Sequence, residues 1–393
     1  MNQFTPITQL PNSVFNALGW DYFISDEAAD YLTSELAVIS DPEREAFYEA
    51  GNKLYDMFVH AAEYVLYNNK LDTLGIPANL HEMIRITWER DGNLHLYGRF
   101  DFAGGVDGLP IKLLEFNADT PTSLPETAII QWAQLKANNI DESLQFNFVY
   151  DALIENFERL IAMNPRKHPS ILFSTLRDAP EDDNNVHVMM RAAEEAGLEV
   201  HFCYMDEVTF SEVEGIYAPN ANGTFTRCDF WFKLTPWEYI AQDEPELCRI
   251  LTEIVRKDLT IILNPAYTML FQSKGIMAHL WDLYPMHPLL LETSFTEPIG
   301  RTDYPYVQKV LFGREGANVT IHDEIGLIAE RNEGDYEGQA SVYQEYTKLA
   351  TDTQGYYYQA GVFYVYEACG LGFRRAKTRI IDNAAQFVGH VVQ

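Results

Sequence analysis

Gly98-Arg99-Phe100-Asp101-Phe102, followed across a reversal by Lys112-Leu113-Leu114-Glu115-Phe116-Asn117-Ala118-Asp119, is the stretch that decides how this chain is read. Successive strand residues point to opposite faces, so Arg99 and Asp101 share one side, as do Glu115 and Asn117, while Phe100, Phe102, Leu114 and Phe116 take the other. The intervening Ala103-Gly104-Gly105-Val106-Asp107-Gly108-Leu109-Pro110 favours a return of the chain, which predicts a strand pair. A face carrying Arg, Asp, Glu and Asn opposite an apolar one is costly unless something binds there. Hard oxygen ligands beside a fixed cation suit Mg2+ with phosphate, and so ATP-dependent chemistry, with Asp101, Glu115 and Asn117 as candidate ligands. Spacing alone leaves an edge hairpin with ordinary salt bridges equally open.

The continuation Thr120-Pro121-Thr122-Ser123-Leu124-Pro125-Glu126 runs into a helical pattern from Thr127 to Ala137. Thr122 or Ser123 can cap that helix and Pro125 suits its first turn, which predicts free amides forming an anion site next to the carboxylates.

Further out, 393 residues with 47% hydrophobic content can bury a large core in about two or three lobes. A formal charge of −30 repels nucleic acid and anionic membrane and attracts cationic small molecules, although solubility accounts for it as well. The N-terminus lacks a basic start followed by an apolar core, and no run of about 18 apolar residues occurs, so the expected compartment is the cytoplasm. Cys203, Cys228, Cys248 and Cys369 lack zinc or disulfide spacing and are expected to be core residues.

Asp41-Pro42-Glu43 reads as a helix cap with proline at the first turn, opening a packing helix with Phe47, Leu54, Met57, Phe58, Ala61 and Val65 at helical spacing. Strand-like Ser170 to Thr175, helical Val186 to Ala196, strand-like Glu199 to Tyr204, the buried strand Asp229 to Leu234, helical Glu246 to Lys257 and apolar Leu259 to Leu263 make a second α/β stretch. Beyond Pro265 a helix from Tyr267 to Leu283 precedes strand-like Tyr306 to Leu311, Val319 to Ile321, Leu327 to Glu330, Ser341 to Tyr346 and Ala360 to Tyr366. Within it, Lys309 in a strand can neutralise phosphates, and Phe312-Gly313-Arg314-Glu315-Gly316-Ala317-Asn318 can close over them, although without a Walker pattern an exposed β-turn is the simpler account.

Arg99-Phe100-Asp101, Glu115-Phe116-Asn117-Ala118-Asp119 and Glu126 resemble the synthetase half of the glutathionylspermidine synthase family, which are ATP-grasp ligases, and the resemblance runs from about Trp20 to the C-terminus. It implies an α/β (α+β) ATP-grasp fold with a Rossmann-like pre-ATP-grasp lobe, divided as an N-terminal helical part (1–83), the hairpin and Rossmann-like lobe (84–265) and a nucleotide-binding part with a lid loop (266–393). It implies a stand-alone form without the amidase domain of the bifunctional members. It makes Lys274 and Lys309, with Gly313, Gly316 and Asn318 of the loop, the nucleotide contacts, and puts Gln344 and Glu345 at the adenine edge. Arg99, Arg314 and Arg374 become the cations that offset charge in transfer, Arg374 closing a Gly370-Leu371-Gly372-Phe373-Arg374 pattern whose glycines let backbone approach a ligand. Thr120 and Thr122 fall near the acid substrate, and Glu181 and Glu238 fall in segments that can line the amine side. Val310 and Ala350 stand where the family commonly has proline. His390 completes the likeness and is not assigned a catalytic role.

The implied activity is a Mg2+-dependent ligation of a small-peptide carboxylate to an amine, a polyamine in the prototype, through an acyl phosphate with release of ADP and phosphate. The partners are then small-molecule acid and amine, with no nucleic acid and no membrane, and the sequence leaves the oligomeric state open. The alternatives are an ATP- or polyamine-binding protein that kept the fold without catalysis, and a small-molecule kinase.

Overall fold

A computed structural model describes residues 1–166, 168–298 and 304–393. Its centre is a mixed-origin antiparallel sheet in which Gln386–Val388, Ala368–Ala376, Tyr357–Tyr364, Gly98–Ala103 and Lys112–Asn117 follow one another, with Ala350–Thr351 added on Tyr357–Tyr364. The predicted hairpin is therefore extended by C-terminal strands, and the sheet crosses the boundary drawn at 265/266. On its apolar face Phe100 stacks on Phe116 with centroids 3.8 Å apart, and the helix Asp41–Tyr67 packs Phe47, Leu54, Phe58 and Val65 into the same core. That helix starts one residue earlier than its Asp-Pro-Glu signal suggests. Ser40 is the cap, accepting from the Glu43 amide while the Glu43 carboxylate accepts from the Ser40 amide.

The register of the hairpin shifts between Asp101 and Phe102, so that Asp101 faces Glu115 while Phe102 faces Leu113. This bulge corrects one expectation: buried Leu113, not Leu114, joins the apolar face, and Leu114 turns to the polar side.

A parallel four-stranded sheet ordered Ile261–Leu263, Phe230–Lys233, Ser170–Ser174 and Glu199–Phe202 forms the second α/β stretch, with its own core around Phe173, Phe230 and Phe232. An antiparallel five-stranded sheet ordered Thr293–Ser294, Ser341–Glu345, Tyr306–Val310, Thr320–His322 and Ile328–Arg331 faces the hairpin's polar side. The N-terminal Phe4–Pro6 and Glu35–Ile39 join the C-terminal His390–Val392 in a further sheet, which ties the two ends together. The helix expected over Tyr267 to Leu283 is broken into Met269–Gln272 and Ile276–Leu283, and the interruption at Ser273-Lys274-Gly275 lets the Lys274 amide bond the Leu311 carbonyl. All four cysteines are buried and free, and no helix among the described residues is long and apolar enough to cross a membrane.

Candidate functional site

A cavity of about 190 Å³ lies between the polar face of the hairpin and the five-stranded sheet. Of the residues singled out in the sequence, Arg99, Asp101, Glu115, Asn117, Thr120, Thr122, Glu181, Lys274, Lys309, Gly313, Arg314, Gly316, Gln344, Glu345 and Arg374 all line it. Segments nearly three hundred positions apart in places thus meet around one space, which local periodicity does not specify.

At one end the charges of Arg99, Asp101, Glu115, Lys274 and Lys309 all have partners. The Arg99 guanidinium grips Asp101 in a forked pair, Nε to Oδ1 at 2.7 Å and Nη2 to Oδ2 at 3.0 Å, while its Nη1 donates to the Thr122 carbonyl at 2.7 Å. Gly361 makes room for this arginine, because a Cβ there would sit 3.1 Å from Arg99 Cδ. Lys274 Nζ donates to the Gly313 carbonyl at 2.6 Å and pairs with Glu115 Oε2 at 3.0 Å. Lys309 Nζ donates to Gln344 Oε1 at 2.8 Å and to the Leu114 carbonyl at 3.0 Å, so the bulge supplies a ligand for the lysine. Burial works to raise the Glu115 carboxyl, but the Lys274 and Lys309 ammonium groups outweigh it and hold it down at about 2. Burial likewise lowers Lys309, to about 8, against the pull of Glu115.

Asn117 Nδ2 donates to Asp101 Oδ2 at 3.0 Å and to Glu115 Oε1 at 3.3 Å, so one amide nitrogen occupies the point the two carboxylates share. Among the described residues no group of three or more His, Cys, Asp or Glu is placed to hold a metal ion. Two carboxylates converging on a carboxamide nevertheless fit Mg2+, which takes few protein oxygens and completes its shell with water and phosphate.

The other end is built differently. The Tyr31 hydroxyl donates to Glu126 Oε1 at 2.6 Å, and Glu126 is 0% exposed with no partner on Oε2 among the described residues. Arg374 donates from Nη2 to the Asp382 carbonyl at 2.7 Å, and its buried Nε is unpartnered among the described residues. The Glu181 side chain at the wall makes no hydrogen bond or ion pair among the described residues. Burial, with Glu181 second, pushes the Glu126 carboxyl up to about 7 against the opposing influence of the Tyr31 bond and Arg374.

Several expectations are corrected. Glu238 lies behind the wall, 2% exposed, and its Oε1 accepts from Arg314 Nη2 at 2.7 Å, while Arg314 Nη1 donates to Thr120 Oγ1 at 2.8 Å. It is occupied by the loop arginine and does not face the cavity. Asn318 is also off the cavity, because its side-chain oxygen accepts from the Tyr336 amide to shape the loop. The amide pocket expected before Thr127 is not built as drawn: Ser123 takes a left-handed backbone (φ 68°), the Leu124 amide donates to Asn185 Oδ1 at 3.0 Å, and a π-helical turn Glu126–Ile130 leads into Gln131–Ala137 without a side-chain cap. Gly370 and Gly372 admit core side chains, not a ligand, since Cβ atoms there would meet Val149 Cγ2 at 2.2 Å and Phe387 Cε2 at 2.7 Å. His390 is a satisfied core residue, its Nε2 accepting from the Phe146 amide at 2.8 Å.

Sequence reasoning missed the supports. Asn264 Oδ1 accepts from the Leu96 amide at 2.8 Å, and its Nδ2 donates to the carbonyls of Tyr97, Ala118 and Asp119. Gln272 Oε1 accepts from the amides of Ala118 and Asp119. Lys233 and Asp119 form a fully buried pair at 3.5 Å, with the ammonium 4.1 Å from the Trp237 ring centroid. Burial lowers Lys233 and raises Asp119, the pair's attraction opposing both shifts. These groups hold the exit of the Glu115–Asn117 strand. A polar residue in an apolar run, as at Lys233 and Asn264, was the available signal. Tyr22 and Tyr31, from the N-terminal segment, also line the cavity.

A family model described as glutathionylspermidine synthase preATP-grasp matches residues 3–393. A putative acid–amine ligase of Haemophilus influenzae is 29% identical over 99% of each chain. The trypanothione synthetase of Crithidia fasciculata is 27% identical over 86% of this chain, and the bifunctional glutathionylspermidine synthetase/amidase of Escherichia coli is 24% identical over 78%. The matches span 53% and 51% of those two longer relatives. Among solved structures, a glutathione synthetase-like effector of Globodera pallida in its apo form superposes with a TM-score of 0.57 at 11% identity, covering 98% of both chains, a likeness of fold.

Proposed function

The chain belongs to the glutathionylspermidine synthase family, and from that premise we propose that it is an ATP- and Mg2+-dependent ligase joining a carboxylate to an amine, with release of ADP and phosphate. The observation that carries this reading is the convergence of Arg99, Asp101, Glu115, Asn117, Lys274 and Lys309 on one cavity. Lys274 and Lys309 bind the nucleotide phosphates, exchanging their internal partners for stronger charge-assisted bonds. Asp101, Glu115 and, with its amide oxygen turned toward them, Asn117 would hold Mg2+, which would neutralise phosphate charge during transfer. Arg99 and Arg374 steady the negative charge that develops on the acyl and phosphoryl oxygens. Thr120 and Thr122 orient the acid, and Arg314, resting on Glu238 and Thr120 in this structure, is available to the triphosphate from the Gly313–Gly316 loop. Gln344 and Glu345 meet the adenine edge.

The relatives' names make a glutathione-like peptide and a polyamine the first pair to try. ADP release is measured over a panel of acids and amines, with mass spectrometry of products and hydroxylamine present to trap the acyl phosphate. Amide and hydroxamate are expected. ADP with neither product assigns the protein to the kinases, and nucleotide binding without turnover assigns it to the binding proteins.

A further inference from the structure

An ammonium ion cannot attack a carbonyl, so a ligase that takes a cationic amine must remove a proton before the C–N bond forms. The nucleotide end of the cavity is unsuited to this, because its carboxylates are gripped by Arg99 and Lys274. The opposite end has a buried carboxylate behind its wall, Glu126, with one oxygen unpartnered among the described residues and the other bonded by the hydroxyl of Tyr31, which lines the cavity. Glu181 stands at the wall beside it, feeling Arg374 but making no hydrogen bond or ion pair among the described residues, and Glu315 of the loop also lines the cavity, so these carboxylates draw a cation to this side.

Resting on the ligase reading above, we propose that Tyr31 and Glu126 form a proton relay that converts the incoming ammonium group into the attacking amine. The Tyr31 oxygen accepts a proton from R–NH3+ as its own hydroxyl proton passes to Glu126 Oε1. Neutral amine, neutral phenol and a carboxylic acid remain. The nitrogen lone pair then makes the C–N bond as the acyl C–O bond to phosphate breaks, and the proton still in excess on nitrogen leaves with the phosphate. Glu126 returns its proton through Tyr31 to solvent when the product departs. A carboxyl group held near 7 is matched to such an exchange at neutral pH.

A hydrogen bond that merely braced the N-terminal segment would affect every reaction of the site alike, whereas the relay separates two nucleophiles. Hydroxylamine is neutral at neutral pH and attacks an acyl phosphate with no prior loss of a proton; spermidine and simple diamines are cationic. Wild type, Glu126→Gln and Tyr31→Phe are compared with glutathione or whichever panel acid wild type activates, against each nucleophile in turn. Both variants are expected to lose about 10²-fold or more in amide formation while hydroxamate formation stays within about threefold of wild type. Tyr31→Phe alters a partly exposed side chain and carries the same comparison if Glu126→Gln does not fold. Parallel loss of both products, or retention of both, overturns the relay while leaving the ligase reading intact. If wild type makes neither product, the ligase reading fails, and the relay with it.

Discussion

The two ends of the cavity are assembled from the same residue types and arranged in opposite ways. Around Asp101 and Glu115 each charge is answered within the protein: Arg99 by Asp101, Lys274 by Glu115, Lys309 by Gln344 and Arg314 by Glu238. Around Glu126, an oxygen of that residue and Arg374 Nε are buried without partners among the described residues, and the Glu181 side chain makes no hydrogen bond or ion pair among them. Buried polar atoms without partners are expensive; they persist at Glu126 and Arg374, and also at Arg314 Nε and Glu238 Oε2 behind the paired end, and mark where a ligand's own donors and acceptors can be taken up. The paired end teaches the complementary point. Neutralised in advance, it can exchange lysine for metal at Glu115 and carboxylate for phosphate at Lys274 without stranding a buried charge.

The largest effect that could break this contrast is expected at Glu115. Glu115→Gln keeps the shape, removes the charge shared by Lys274 and the proposed metal, and should lower Mg2+-dependent ADP release by about 10²–10³-fold or more with the fold unchanged by circular dichroism. Near-normal turnover would remove the metal assignment. Next comes Arg99→Lys, which retains a cation but loses the forked grip on Asp101. Hydroxamate and amide formation should both drop by about 10²-fold while calorimetric ATP affinity is kept, and a matching loss of affinity would move Arg99 to nucleotide binding.

Smaller changes sharpen the contrast. Lys274→Met and Lys309→Met should each weaken ATP binding by about tenfold, since each removes one charge-assisted contact to phosphate. Unchanged affinity in both by titration calorimetry would leave the paired end without its proposed ligand. Ser40→Ala is the control remote from both ends: losing the cap of Asp41–Tyr67 should cost about 1 kcal/mol in denaturant unfolding, with ATP affinity as in wild type. A change in affinity there would mean that the framework, not the cavity charges, sets binding.

The site was legible in the sequence where its residues share a strand or a short loop. Arg99, Asp101, Glu115 and Asn117 could be put on one face because alternation is a local property of extended backbone. Leu114 escaped that reading, because a bulge is set by how two strands must twist to meet their neighbours and one inserted residue reverses a side chain. Glu238 falls in a segment that the resemblance puts on the amine side, and a charge beside a tryptophan gives no sign that an arginine from a distant loop will claim it.

Alternation, caps and the order of motifs thus determined on their own the hairpin, the long helix, the strands of the second α/β stretch and the family to which the chain belongs. They act over a few residues and survive any arrangement of the remainder. Tertiary structure alone decided that C-terminal strands complete the hairpin's sheet, that Lys274 sits in a helix break against Glu115, and that Tyr31 at the cavity wall bonds the buried Glu126. Those pairings join segments far apart in the chain, and a charge takes its partner from whatever packing brings within hydrogen-bond reach, which no local pattern encodes.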